Sequence, residues 1–259
     1  MSDEDREQLA EGTLISHLIE LRQRLMRAVI AIAIAFVPCA IFANQLFTMI
    51  ALPLLEKMPQ GTSMIATNVV APFMAPLKLA LFLAIFVAMP VVLYQAWAFV
   101  APGLYRHEKR FAVPLLVSSI VLFYAGAAFA YFIVFPLMFA FLTSTAPIGV
   151  QVMTDMTNYL DFVLLLFFAF GIAFEIPVAT VLLAATGLVR VEAMAKHRGY
   201  VILGIFIVAA FLTPPDAISQ SFMAIPMYLL YEVGIVMSRL LLKDKAARQR
   251  SERQGAGSS

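Results

Sequence analysis

Hydrophobic and polar positions fall along this chain in long blocks, not at the short alternating period of a half-buried strand. Apolar blocks cover about 25–47, 73–100, 113–142, 158–188, 200–213 and 217–237. A helix rises about 1.5 Å per residue and a bilayer's hydrocarbon core is about 30 Å thick, so roughly 20 apolar residues cross it. The third and fourth blocks exceed that length and are expected to tilt. The fifth falls short, bounded by Arg198 and by Thr213-Pro214-Pro215-Asp216. The fifth and sixth spans are expected to be short, with the bilayer thinned around them. The pattern predicts an all-α integral membrane protein with six transmembrane helices.

Composition agrees with the pattern. Of the 259 residues, 62% are hydrophobic and 13% charged, about half the charged share of a soluble domain. The placement of charge adds an orientation. Arg6, Arg22, Arg24 and Arg27 precede or open the first span; Arg106, Lys109 and Arg110 join the second to the third; Arg190, Lys196 and Arg198 join the fourth to the fifth. Arg239, Lys243, Lys245, Arg248, Arg250 and Arg253 follow the sixth, leaving only Lys57 and Lys78 of the 18 basic residues for the other face. Basic residues mark the cytoplasmic side, so both termini are expected there, which requires an even number of spans. Asp3, Glu4, Asp5, Glu7 and Glu11 stand where a cleavable signal would carry its basic region, so the first span is expected to stay in the mature protein. Three parts follow: an acidic N-terminal tail (1–12), a six-span membrane domain (13–240), and a basic, disordered tail (241–259).

Few residues offer chemistry. Cys39 is the single cysteine, which excludes an internal disulfide, and no cysteine–histidine cluster suggests a metal. His17, His107 and His197 all fall on the cytoplasmic side. No serine–histidine–aspartate set, zinc motif or phosphate loop can be assembled, which argues against an enzyme, a cofactor or a metal. Polar groups within spans are the functional suspects. Glu175 lies mid-span in Phe170-Gly171-Ile172-Ala173-Phe174-Glu175-Ile176-Pro177, where Pro177 frees the carbonyl of Ala173 and predicts a kink. It is either a glutamate bonded to a neighbouring helix or a polar docking point facing a cavity.

Three further stretches stand out. Along the first helix, Leu14, Leu18, Leu21 and Leu25 share a face, and His17, Glu20, Arg24 and Arg27 form a polar stripe beside it. The plain reading of Glu20 is an i, i+4 pair with Arg24, which spacing alone favours. Glu108 is the one acid of the basic connection Ala101 through Arg110, near Trp97, Phe99 and Tyr105. Its plain reading is local pairing with Lys109 or Arg110. With Glu20 it could instead grip a strongly basic ligand, because arginine bonds carboxylates through two parallel hydrogen bonds. In Leu212 through Gln220, prolines end one helix and Asp216 can cap the next. Gln220 and Glu232 add polar surface to the last span.

Those stretches carry a resemblance. Residues 13–240 resemble the TatC family of the twin-arginine protein translocase. The motifs are His17 through Arg24, Ala101 through Arg110, Phe170 through Pro177, and Leu212 through Gln220, in that order on spans of matching orientation. The resemblance implies a concave bundle in the bacterial inner membrane. It would bind signal peptides with two adjacent arginines and export folded proteins on the proton-motive force. It implies that Glu20 and Glu108 receive the arginine pair, with Arg22 and Phe99 beside them. It gives Glu175 and Gln220 contacts with single-span subunits of the TatA and TatB types, and Pro53 and Asp216 roles on the outer face. Self-association and lipid contact are implied, nucleic acid is not. A proton-coupled small-solute transporter with Glu175 as proton carrier is the rival, though it predicts inverted repeats with paired broken spans, and none are seen. A structural assembly scaffold is a third reading.

Overall fold

The structure, a computed structural model, describes residues 3–55, 64–104, 109–144, 155–213 and 216–256. Side chains are described over 15–52, 64–99, 113–141, 155–213 and 216–241. Most of the described chain is helical: α1 (Asp3–Ile41), α2 (Ala43–Leu55), α3 (Ala71–Leu104), α4 (Lys109–Phe129), α5 (Phe135–Ser144), α6 (Met156–Ala173), α7 (Ile176–Ala185), α8 (Val191–Lys196), α9 (Arg198–Leu212) and α10 (Ala217–Ala256). Ala130–Val134 forms a π-helical turn between α4 and α5. Among the described residues the only β pairing is a single bridge between Ile65 and Asp155.

Five helical runs are long and apolar enough to cross a membrane: Ile15–Ile41, Ala71–Phe99, Val113–Phe141, Met156–Ala185 and Ala217–Leu241. α9 has 15 residues and reaches only about 22 Å, so the fifth apolar block is short, as its flanking residues predict. The sixth is not. Its apolar run of 25 residues extends about 37 Å, because Ser238 through Leu241 prolong the helix beyond the expected boundary.

Two other expectations change. α1 begins at Asp3, within the acidic N-terminal tail, and α10 continues to Ala256, through the C-terminal tail expected to be disordered. Lysine, arginine, glutamine, glutamate and alanine are strong helix formers, and each tail prolongs a helix already nucleated. The turn-forming residues Pro53, Pro59-Gln60-Gly61 and Pro72 predict an outer loop over 48–72, yet α2 runs to Leu55 and α3 starts at Ala71. Pro53 therefore lies in the last turns of α2, not in a turn.

The chain forms two compact units. The first contains α1, α2, α3, α4 up to Ile120 and the first turn of α6. Here α1 packs along α3. The buried side of α3 is small: Ala71, Ala75, Ala80, Ala84 and Ala88 are all at most 5% exposed, which lets two helices approach closely without a large driving force in lipid. α1 turns an unexpected stripe inward. Leu18, Leu21 and Leu25 are exposed, whereas Glu20 and Arg24 are half-buried and Ala28 is buried. In lipid the leucines need no protein cover, so the polar stripe takes the protein side.

The second unit contains α4 from Val121, α5, most of α6, and α7 through α10. α4 and α6 meet at two glycines. A Cβ on Gly126 would lie 2.4 Å from the Phe170 carbonyl oxygen, and one on Gly171 would lie 2.6 Å from the Phe123 ring. The π turn follows from Pro136. Proline cannot donate the next ladder bond, and Phe135 instead donates its N–H to Ala130, five residues back. α7 and α10 pack around Ala184, Val191, Met194, Tyr231 and Ile235. α7 closes at Gly187, whose φ of 74° suits a glycine C-cap.

Candidate functional site

In the first unit, polar and aromatic side chains gather where α1 meets α3. Arg24 donates from Nε to Glu20 Oε1 at 3.0 Å and from an Nη to the same oxygen. His17 Nδ1 lies 3.9 Å from Glu20 Oε2. The His17 ring stacks on Phe99 of α3, centroids 4.3 Å apart and planes at 23°. Glu20, His17 and Phe99 thus stand together, and Phe99 is half-buried. Glu20 is not an unpaired carboxylate: the local pair with Arg24 is formed. Arg22 is exposed, on a different side of α1 from the Glu20–Arg24 stripe. Glu108 lies outside the described residues.

Glu175 lies in the second unit at the break between α6 and α7. Phe174 and Glu175 form a turn there: Glu175 donates its N–H to Ile172 at 2.9 Å and accepts from Ala179 at 2.8 Å. Pro177 enters within the first turn of α7, so the interruption falls where proline predicts it. The Glu175 side chain is half-buried. Beside it, an apolar cavity of about 600 Å³ is lined by residues including Ala169, Ala173, Ile176, Val201, Gly204 and Val208.

Asp216 caps α10. Its Oδ1 accepts from the backbone of Ile218 at 3.1 Å and Ser219 at 2.7 Å, and the Ser219 N–H holds its carboxyl below the ordinary range. Gln220, half-buried, donates its backbone N–H to the Asp216 carbonyl at 3.2 Å. Pro53 is placed by its backbone in α2; its side chain lies outside the described set.

Two polar constellations escape the sequence reading. The first is Asp155. Its Oδ1 accepts from Thr157 and Asn158 at the start of α6. Its Oδ2 accepts from the N–H and hydroxyl of Thr67 at 3.0 and 2.7 Å. Met156 also donates to Ile65, so the segment before α3 is tied to the start of α6. The N-cap signal, an aspartate before an apolar run, is present in the sequence. The second joins α9 to α10: Arg198 donates to Glu232 Oε2 at 2.8 Å, and Tyr228 donates to Glu232 Oε1 at 2.8 Å. Both charges stand at the same expected membrane boundary, which was the available clue.

Long apolar helices, with ion pairs and caps concentrated toward their ends, define a multi-pass membrane protein. Residues 16–226 match the family described as Sec-independent protein translocase protein (TatC), and the chain belongs to that family. It is 54% identical over 226 residues to the Sec-independent protein translocase protein TatC of Escherichia coli K12, covering 87% of this chain and 88% of that one. Identity to the protein of the same name from Azotobacter chroococcum is 55% over 222 residues, covering 86% and 87%. A crystal structure of the twin arginine translocase receptor TatC superimposes with a TM-score of 0.78 at 40% identity, covering 86% of this chain and 98% of that one. The chain is a membrane-spanning component of a protein translocase, and protein transport is its work.

Proposed function

We propose that this chain is the receptor subunit of a twin-arginine translocase, binding signal peptides through carboxylates at its cytoplasmic boundary. In this reading it has six spans with both termini in the cytoplasm, in a bacterial inner membrane. The observation that carries the proposal is the Glu20–His17–Phe99 group at the α1–α3 seam, on a chain whose solved relative is a twin arginine translocase receptor, TatC. An acceptor-only carboxylate beside an aromatic ring suits a guanidinium, which can bond in its plane and stack on its face.

The resting Glu20–Arg24 pair does not block this role. The described bonds of Arg24 both go to Oε1 of Glu20. A guest guanidinium offers two parallel bonds of the same charge-assisted kind, about 1.5–3 kcal/mol each, and so competes with Arg24 for the carboxylate. Glu108 supplies the second carboxylate, and Arg22 flanks the first. The apolar part of the signal then inserts into the membrane beside the chain, and single-span TatA- and TatB-type subunits dock at Glu175 with help from Gln220. Pro53 and Asp216 shape the outer face. The short α9 thins the bilayer nearby, and the proton-motive force drives folded cargo across.

The test is crosslinking of a twin-arginine signal peptide to the wild-type, Glu20→Ala and Glu108→Ala proteins in membranes. Each substitution is expected to weaken capture at least tenfold; unchanged capture in both refutes the proposal. Copurification distinguishes the transporter alternative, since a translocase retains single-span partners and a transporter binds a small solute.

A further inference from the structure

Gln95 of α3 is only 9% exposed, and its Oε1 is buried without a hydrogen-bond partner. A buried acceptor left unmade is destabilising, the more so where lipid replaces water. A leucine of similar size would avoid the penalty. An orphaned amide oxygen in a native interior calls for an explanation, and a second state in which it is used supplies one.

Its position indicates that state. Gln95 and Phe99 lie one turn apart on a single face of α3, the face on which Phe99 meets His17 of α1. The inward stripe of α1 consists of Glu20, Arg24 and Ala28. Gln95 therefore faces the seam that holds the Glu20–Arg24 pair. Arg24 is itself largely covered, its side chain 18% exposed, and it gives both described bonds to one oxygen of Glu20. A guanidinium has five donors and no acceptor. A guest arginine that takes Glu20 strips Arg24 of its partner while Arg24 remains within the seam. Without a replacement acceptor, that loss opposes the exchange.

We propose that Gln95 is a positioning residue for signal recognition, its Oε1 being the acceptor to which Arg24 turns when a signal-peptide arginine displaces it from Glu20. The inference rests on the receptor reading above. At rest, Glu20 holds Arg24 and the amide oxygen is idle. In the bound state Glu20 holds the guest and Gln95 holds Arg24. Hydrogen-bond partners change and no proton moves. The unused acceptor makes the resting state less favourable than a fully bonded one, which lowers the barrier to opening the pair.

The test measures Kd for a synthetic signal peptide carrying the arginine pair, with the full-length protein in detergent. Gln95→Leu is expected to weaken binding about tenfold, while its thermal unfolding midpoint holds or rises because an orphaned acceptor is gone. In an Arg24→Leu background the same substitution is expected to have no further effect, since no displaced arginine needs a partner. An equal loss with and without Arg24 means that the amide touches the guest directly, and overturns the exchange. Unchanged binding by Gln95→Leu alone also overturns it. Glu20→Ala and Glu108→Ala separate the two levels: wild-type affinity in both sinks the receptor reading itself. Loss with Glu20→Ala but none with Gln95→Leu sinks only the exchange.

Discussion

At the scale of single residues, lipid reverses the usual sense of inside and outside. Leu18 and Leu25 of α1 are more than 60% exposed while Arg24 is half-buried, because hydrocarbon welcomes the leucines and charges need protein partners. Spacing makes the Glu20–Arg24 pair legible; it does not reveal that this stripe, and not the leucines, meets α3. Asp155 makes a sharper case. The N–H of Asn158, then the hydroxyl and N–H of Thr67, hold its carboxyl below the ordinary 3.8, at about 2. A lowered folded-state value means that the clamp's contribution is complete above about pH 4 and is lost as pH falls toward 2. Thermal unfolding in detergent across that window is expected to show a falling midpoint for the wild type. Asp155→Asn should start lower at neutral pH and change less on acidification. Parallel curves for the two proteins would refute the clamp. The sequence holds the cap signal at Asp155, but its partner Thr67 is 88 residues away, and no local pattern announces a contact at that distance.

At the scale of elements, apolar block length locates the helices well because crossing a bilayer is a length requirement. It fails where length is not limiting. The final helix outruns its apolar block, the π turn before Pro136 is invisible to periodicity, and the tails continue as helices through polar sequence. The contact between α4 and α6 gives an element-level prediction. At Gly126 an added methyl would meet a backbone oxygen, which no side-chain rotation can clear; at Gly171 it would meet the edge of the Phe123 ring, which can tilt. At Gly204 of α9 nothing lies within 4 Å. Gly126→Ala is therefore expected to cost about 1–3 kcal/mol through overpacking, and Gly171→Ala less. Gly204→Ala should be neutral or stabilising by up to about 1 kcal/mol, since alanine is the better helix former. Unfolding midpoints of the three variants in one detergent test the order. A destabilised Gly204→Ala beside an unaffected Gly126→Ala would refute the packing account.

At the scale of the whole molecule, the open question is which side of the membrane each helix end faces. The five long apolar runs and the 15-residue α9 allow two arrangements. If α9 crosses alone, the count is even and both termini share a side. If α9 and α10 act as one broken span, the basic end of α10 lies outside. The proposed six-span reading rests on charge. Translocating Arg239, Lys243, Lys245, Arg248, Arg250 and Arg253 would contradict the asymmetry of the other connections. The ion pair of Arg198 with Glu232 adds a geometric reason. It ties the first residue of α9 to the later half of the apolar run Ala217–Leu241 of α10, so the two helices run antiparallel, as a hairpin of two crossings requires. Cysteine labelling provides the test, because Cys39 is the only thiol to remove. In a Cys39→Ala background, single cysteines at Ser2 and Ser258 should both resist a membrane-impermeant maleimide in intact cells and react once the membrane is opened. A cysteine replacing Thr62, between the first two long apolar runs, should react in intact cells. Labelling at Ser258 before permeabilisation would place α9 and α10 in a single broken span, and the shared cytoplasmic side of the two termini would be lost with it.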